Sequence, residues 1–318
     1  PAPSSAELQA RADENAARKE RSRAFKAAMA LSLWREGLPA AGTPVETYLR
    51  ARGIHGAALE AMLGQLRFHP QAYHSGDTAR PVAAPAMVGL IMTPEGPTGG
   101  VHVTYLSCDG ARKADLSPSR KVWGPTNRLD ATGVARPGGV WLTSPFAPGP
   151  LIVGEGIETT GAGGSMIGLP CRMVATLSLD ALQGAYLTDS RGRVDLSDLQ
   201  PDPMLPAFTW PEPADQPWGA PILCIDRDMK PIRIRTAGDQ DEDDEEILDA
   251  DGRAVVCAAL AAAAWIIAGA RWLAFAIPPR DMDINDQLMA SHAGQAPGYL
   301  RLLSLSGFAA ACSADDPS

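Results

Sequence analysis

The chain has 318 residues, 37 acidic and 28 basic, for a net charge of -9. That length allows one large domain or two modest ones, and an apolar share of 45% is ordinary for a protein with a sizeable core. The negative balance excludes a protein that coats DNA without regard to sequence; it leaves room for an enzyme with a local basic track beside an acidic metal site. Five widely spaced cysteines, Cys108, Cys171, Cys224, Cys257 and Cys312, form no CxxC pair. This argues against a zinc ribbon or finger, so no zinc is expected, and for reduced, mostly buried thiols in a cytoplasmic protein. The first residue is Pro, not Met, as expected of a processed product or a fragment, and the N-terminus lacks the apolar core of a signal peptide.

In chain order, residues 6–37 read as a long helix. Its first half carries charge of both signs, and apolar spacing begins near Phe25, as in a solvated helix that docks by its second half. A second helix follows in "TPVETYLRARG", with Thr43 as N-cap, Pro44 at the first position, Glu46 three residues after the cap and Gly53 at the end. "ALEAMLGQL" is a third. Across about 85–145, short β-type runs alternate with Pro-Glu-Gly, Gly-Gly and Asp-Gly turns, the pattern of a small antiparallel sheet.

From residue 150 strands and helices alternate: "PLIVG", "IETTGAGGSMIG", "CRMVATLS", "LDALQG", "PILCID", a helix over 252–269, "WLAFAIP" and "INDQLMASH". Such alternation predicts a parallel sheet flanked by helices. Residues 186–219 and 229–250 read as surface insertions. The apolar run "AVVCAALAAAAWIIAGARWLAFAIPP" is interrupted by Arg271 and reads as a buried helix, a break and a buried strand, not as a membrane span.

Three of these strands deliver carboxylates just past their C-terminal ends: Glu155, then Asp226 and Asp228, then Asp281, Asp283 and Asp286. In an open parallel sheet those ends share one edge, where ligands bind. Carboxylates crowded there are costly unless a cation joins them, and Mg²⁺ is the natural one, since it takes hard oxygen ligands and few carboxylates. Gly154 and Gly156 around Glu155 supply the strand-to-helix turn. A dinucleotide site is disfavoured because Thr159 stands where GxGxxG needs its third glycine.

"VGEGIET", "CIDRD" and "DMDIND" together resemble the three signatures of the Toprim fold, shared by DnaG-type primases, type IA and II topoisomerases, OLD-type nucleases and RecR-type repair proteins. Glu155 falls on that family's glutamate, Asp226 and Asp228 on its Asp-x-Asp, and Asp283, Asn285 and Asp286 on the element of primase-type members, with Met282 where that element carries Lys. The segment upstream, with "LWREGLPAAGTPVETYLRARGI", "LRFHP" and "RKVWGPT", resembles the subdomain preceding Toprim in phage- and plasmid-type primases, where basic residues face the metal site across a cleft; Lys121 best fits that lysine. The resemblance implies an α/β Toprim domain over 149–292, a Rossmann-like parallel sheet with flanking helices. A small α+β subdomain with an antiparallel sheet precedes it over 39–148. A helical segment over 1–38 and a C-terminal helix and tail over 293–318 complete the division.

It further implies catalysis by Glu155, Asp226 and Asp228, which hold Mg²⁺ or Mn²⁺ with Asp283 and Asp286. Lys113, Arg120, Lys121 and His102 would contact nucleotide or nucleic acid. The partners implied are single-stranded DNA and ribonucleoside triphosphates, with a separate helicase or zinc-binding template reader, and no membrane. No GxxxxGK[ST] occurs. The same carboxylates acting with water would make a nuclease, and a non-catalytic accessory protein of a mobile element is a third reading. Among the remaining residues, Glu158 is expected to be an exposed first-turn carboxylate. Asp281 reads as a solvated helix start, the acidic run at 239–246 as a solvated loop, and the tryptophans as mostly core.

Overall fold

The computed structural model describes residues 5–74, 82–168, 170–211, 221–237 and 243–314. The chain begins with α1 (Ser5–Glu36), the two-residue β1 (Leu38–Pro39), α2 (Pro44–Ala51) and α3 (Gly56–Gln65). β2 (Arg67–His74), β3 (Val82–Thr93), β4 (Gly96–Tyr105) and β5 (Arg120–Trp123) follow, then the short β6 (Asn127–Leu129), β7 (Ala135–Pro137) and β8 (Gly139–Trp141). The α/β half runs β9 (Leu151–Gly154), α4 (Ile157–Ile167), β10 (Arg172–Ala175), α5 (Leu179–Gln183), β11 (Pro221–Cys224), β12 (Ile232–Ala237) and β13 (Asp243–Leu248). It ends with α6 (Ala250–Ile267), β14 (Ala274–Ile277), α7 (Ile284–His292), β15 (Arg301–Leu303) and α8 (Leu305–Ser313).

The helix starts follow capping chemistry. Thr43 Oγ1 accepts from the Val45 amide, and Pro44 opens α2. Glu46 accepts from the Gly42 amide and pairs with Arg50 one turn on. Ser178, Asp249, Asp283 and Ser304 cap α5, α6, α7 and α8 in the same way.

One mixed sheet spans both halves in the order β1-β2-β3-β8-β10-β9-β11-β14-β15, with β4 and β5 branching from β3. Its centre, β10-β9-β11-β14, is parallel, as the alternation predicts. The antiparallel part begins at Leu38, where β1 pairs with β2, earlier than the turn pattern indicates, and β8 joins it to β10. The sheet therefore runs unbroken past residue 148. β15 adds an antiparallel edge to β14 that the sequence did not announce. The 229–250 insertion is ordered over its described residues: β12 pairs antiparallel with β13, and Val194, Ile234 and Leu248 close a small core beneath it.

Two apolar layers cover the parallel strands. α4 lies on one face with α3 and α7, and α6 lies on the other with α5 and α8. The glycines of α4 permit that approach. A Cβ at Gly161 would come within 2.7 Å of Met62 Sδ, and one at Gly163 within 3.2 Å of Cys224 Sγ. "GAGG" thus serves close helix–sheet packing. By length and composition α6 could cross a membrane, but half of it is buried against the fold, including Ala258, Ala261 and Trp265. Trp141 and Trp265 are core, whereas Trp272 is 76% exposed, contrary to expectation; Trp218 and residues 239–242 lie outside the described residues.

Candidate active site

Register places the acidic residues. Gly154 pairs with Cys224, and Cys224 with Ala276, so β9, β11 and β14 end level. Glu155 follows β9 directly, Asp226 and Asp228 follow β11, and Asp283 and Asp286 follow β14 through the loop into α7. Gly154 must be glycine, since a Cβ there would sit 2.6 Å from Thr160 Oγ1. Gly156 carries no such demand: its φ is -95° and its space is open.

These groups line a cleft of about 580 Å³. On one wall stand Glu155, Asp226, Asp228, Asp283 and Asp286; from other elements Arg120 and Lys121 of β5, Lys113, Arg52 and Arg253 bring positive charge. His102 of β4 also reaches the cleft. All the acids and cations expected from the sequence are therefore drawn to one place. Arg52 and Arg253 are additions. Neither sits in a recognisable motif: Arg52 ends α2 and Arg253 lies in the first turn of α6, and only tertiary packing brings them here.

Asp226 is the focus of strain. Its Oδ1 is buried with no hydrogen-bond partner among the described residues. Burial, then the charges of Asp283, Glu155, Asp228 and Asp286, push its carboxyl well above the usual range. Burial likewise raises Glu155, against the pull of Arg120, and lifts Asp283 to about 6 although it caps α7 through the Asp286 amide at 2.6 Å. An orphaned carboxylate oxygen amid like charges is what a divalent cation would satisfy. Among the described residues no group of three or more His, Cys, Asp and Glu side chains is placed so that it could hold a metal ion. Hard carboxylate oxygens of this kind are the donors that Mg²⁺ or Mn²⁺ would take.

Glu158 departs from expectation. It is 7% exposed, not solvated. It accepts from Tyr48 Oη at 2.5 Å and pairs with Lys113 Nζ at 2.9 Å. Burial alone would raise its pKa; the Lys113 charge, the Tyr48 hydroxyl and Arg120 outweigh this and hold it at about 2. Lys113, expected to contact nucleotide or nucleic acid, lines the cleft with its ammonium paired to Glu158. His102 is buried with Nδ1 unpartnered, and burial, chiefly, lowers it to about 4. Asp281 is exposed, as expected, and adopts φ 60°.

A family model described as a domain of unknown function (DUF7146) matches residues 24–132. No curated protein matches the chain. A solved structure of a DnaG primase catalytic domain bound to ssDNA is similar to it at 15% identity, covering 91% of this chain and 84% of that one, with a TM-score of 0.44.

Proposed function

We propose that the chain is a primase-like nucleotidyltransferase that joins ribonucleotides on single-stranded DNA. The observation that carries this reading is the buried, unpartnered Asp226 Oδ1 among four further carboxylates, facing a wall of cations. Glu155, Asp226 and Asp228, with Asp283 or Asp286, would hold divalent ions. The chemistry a divalent ion would supply there is a lower pKa for an attacking 3′-hydroxyl and charge neutralisation for the leaving pyrophosphate. Arg120, Lys121, Arg52 and Arg253 would hold the phosphates of nucleotide and primer by charge-assisted hydrogen bonds. The α4 N-terminus has no side-chain cap, so its first amides remain available to an anion. Glu155, with its raised pKa, is placed to take or return a proton. Glu158, held by Tyr48 and Lys113, lines the same cleft.

Supplying single-stranded DNA, labelled ribonucleoside triphosphates and Mg²⁺ or Mn²⁺ tests the proposal. Short RNA is expected, and none with Glu155→Gln or with Asp226→Asn/Asp228→Asn. Metal-dependent shortening of the DNA without RNA would replace the proposal with phosphodiester hydrolysis, and neither product would reject both reactions.

A further inference from the structure

The two loops that carry the acidic residues also border a second concavity. Asp226 and Asp228 line the carboxylate cleft, while Arg227, between them, lines a separate cavity of about 1080 Å³. The loop into α7 divides in the same way: Asp283 lines the cleft, and Arg280 and Met282 line the cavity. Each loop therefore serves both sites. The cavity is completed by Gln287 of α7 and by the segment 295–301 that leads into β15.

Its charge has one sign. Arg227, Arg280 and Arg301 line it, and no acidic residue does among the described residues. Asp251, outside the lining, joins two of the three: Oδ1 accepts from Arg227 Nε and Oδ2 from Arg280 Nη2, each at 2.7 Å. One carboxylate thus answers two guanidiniums, and the exposed Arg301 adds a third. Guanidinium groups suit phosphate, whose oxygens can take two parallel N–H bonds at once.

Gln287 adds direction. It is 2% exposed, and its Nε2 donates to the carbonyls of Pro297 at 3.0 Å and Tyr299 at 3.1 Å. Both amide hydrogens are used, so the amide cannot turn over without losing both bonds. Its Oε1 is buried with no partner. A buried orphan acceptor is uncommon and calls for a donor. Tyr299, 65% exposed, brings an aromatic side chain to the same cavity.

A single water would satisfy Gln287 Oε1, but it would need neither the arginines nor a volume many times the roughly 30 Å³ share of one water. An inorganic anion would use the arginines and leave the carboxamide oxygen without a donor. A ligand with a phosphate at one end and a ring N–H at the other uses the arginines, Gln287 and Tyr299 together. The volume stands at the upper end of the range of about 300–1,000 Å³ for small-molecule pockets.

We propose that this cavity is a second, non-catalytic nucleotide site behind the acidic loops: arginines for the phosphate, Tyr299 for stacking and Gln287 Oε1 for a base N–H. It goes beyond the proposed reaction and does not depend on it.

The test is calorimetric titration of the full chain with uridine 5′-monophosphate, ribose 5-phosphate and inorganic phosphate, in EDTA to keep metal from the carboxylate cleft. The nucleotide is expected to bind at least about ten-fold more tightly than ribose 5-phosphate, and Arg280→Gln/Arg301→Gln to weaken it by at least about ten-fold. Arg301→Gln alone, at an exposed side chain, should weaken it in the same direction, and circular dichroism checks that both variants keep the fold. Tyr299→Ala leaves the backbone carbonyl that Gln287 uses. It should weaken the nucleotide by about five-fold or more and leave ribose 5-phosphate unchanged, since only the base is stacked. Arg120→Gln, in the other cleft, should change nothing. Equal affinity for nucleotide and ribose 5-phosphate would overturn the proposal, as would nucleotide binding lost in Arg120→Gln and kept in Arg301→Gln. Binding seen only after deletion of residues 315–318 would assign the arginines to the chain's own Asp315 and Asp316, and the free nucleotide would be rejected.

Discussion

Arg227, the residue between Asp226 and Asp228, points away from the cleft and donates from Nε to Asp251 Oδ1 at 2.7 Å. Both side chains are buried. The other oxygen of Asp251 accepts from Arg280 at 2.7 Å, and the Arg227 amide donates to the Met282 carbonyl at 3.0 Å. Arg227 Nη1 also reaches the Pro278 carbonyl. The loop bearing Asp226 and Asp228 is thus tied to α6 and to the loop bearing Asp283. Breaking a buried pair on one side leaves an uncompensated charge, at a cost of about 3–5 kcal/mol. Asp251→Leu and Arg227→Leu are each expected to cost about that much in urea denaturation. Arg227→Leu/Asp251→Leu should cost far less than their sum, because Arg280 is half exposed and stays hydrated. Additive losses would show that the pair does not act as a unit.

Asp226 should trade stability for function. Its raised pKa means that the folded state resists ionisation, so this carboxyl contributes stability below the ordinary Asp pKa and loses it as pH rises through the folded value. At neutral pH without metal, Asp226→Asn is therefore expected to raise stability by about 1 kcal/mol, the usual scale for relieving a strained functional group. Mg²⁺ should raise the melting temperature of the wild type and leave the variant nearly unmoved. RNA synthesis should fall by about 100-fold or more, since even outer partners of metal ligands cost 10–100-fold. A variant less stable than wild type in EDTA would contradict the account.

His102 supplies an acid-sensitive element of opposite sign. It is buried on β4, facing Glu158 of α4, Arg120 of β5 and Lys113, and its pKa falls from 6.5 to about 4. Unfolded chains take up this proton near pH 6.5 while the folded chain refuses it until about pH 4, so stability is full above 6.5 and declines across that window. The loss is of order 3 kcal/mol at about 1.36 kcal/mol per unit. Asp283, raised to about 6, acts in the reverse direction between 3.8 and 6, so the wild type must be read against His102→Gln in the same buffers. The difference in unfolding free energy should shrink steadily from pH 7 to pH 4; a difference independent of pH would mean that His102 is not held neutral by burial.

The acidic edge was legible because each carboxylate follows the C-terminal end of an apolar strand, and parallel register does the rest. Asp226 and Asp228 alone read as turn residues; they stand out with Glu155, Asp283 and Asp286 only when the three strand ends are taken together and in order. Arg52 and Arg253 did not announce themselves, since a cation at a helix end has no local signature until the helix is packed. Glu158 misled for a related reason: the first turn of a helix favours acids in solvent, and nothing nearby reveals that Tyr48 and Lys113, 110 and 45 residues away in sequence, will bury it. β2 was missed because Pro70 and its polar neighbours obscure the alternation, and its register indeed shifts between His69 and Ala72.

The glycines flanking Glu155 divide into one that is required and one that is tolerant. A methyl at Gly154 would stand 2.6 Å from Thr160 Oγ1, which is held in place by donating to the Gly156 carbonyl at 2.7 Å. Overpacking of this kind costs about 1–3 kcal/mol, and here it would push β9 from α4 and move Glu155 with it. Gly154→Ala should therefore lose both stability and RNA synthesis. Thr160→Ala added to it removes the colliding oxygen and should restore much of both. Gly156→Ala, by contrast, meets no atom closer than 3.5 Å and has an ordinary φ, so it should cost no more than the loss of a favourable N-cap residue, under about 1 kcal/mol in urea denaturation. Equal losses at the two glycines would mean that the turn, and not the approach of α4, sets the position of Glu155.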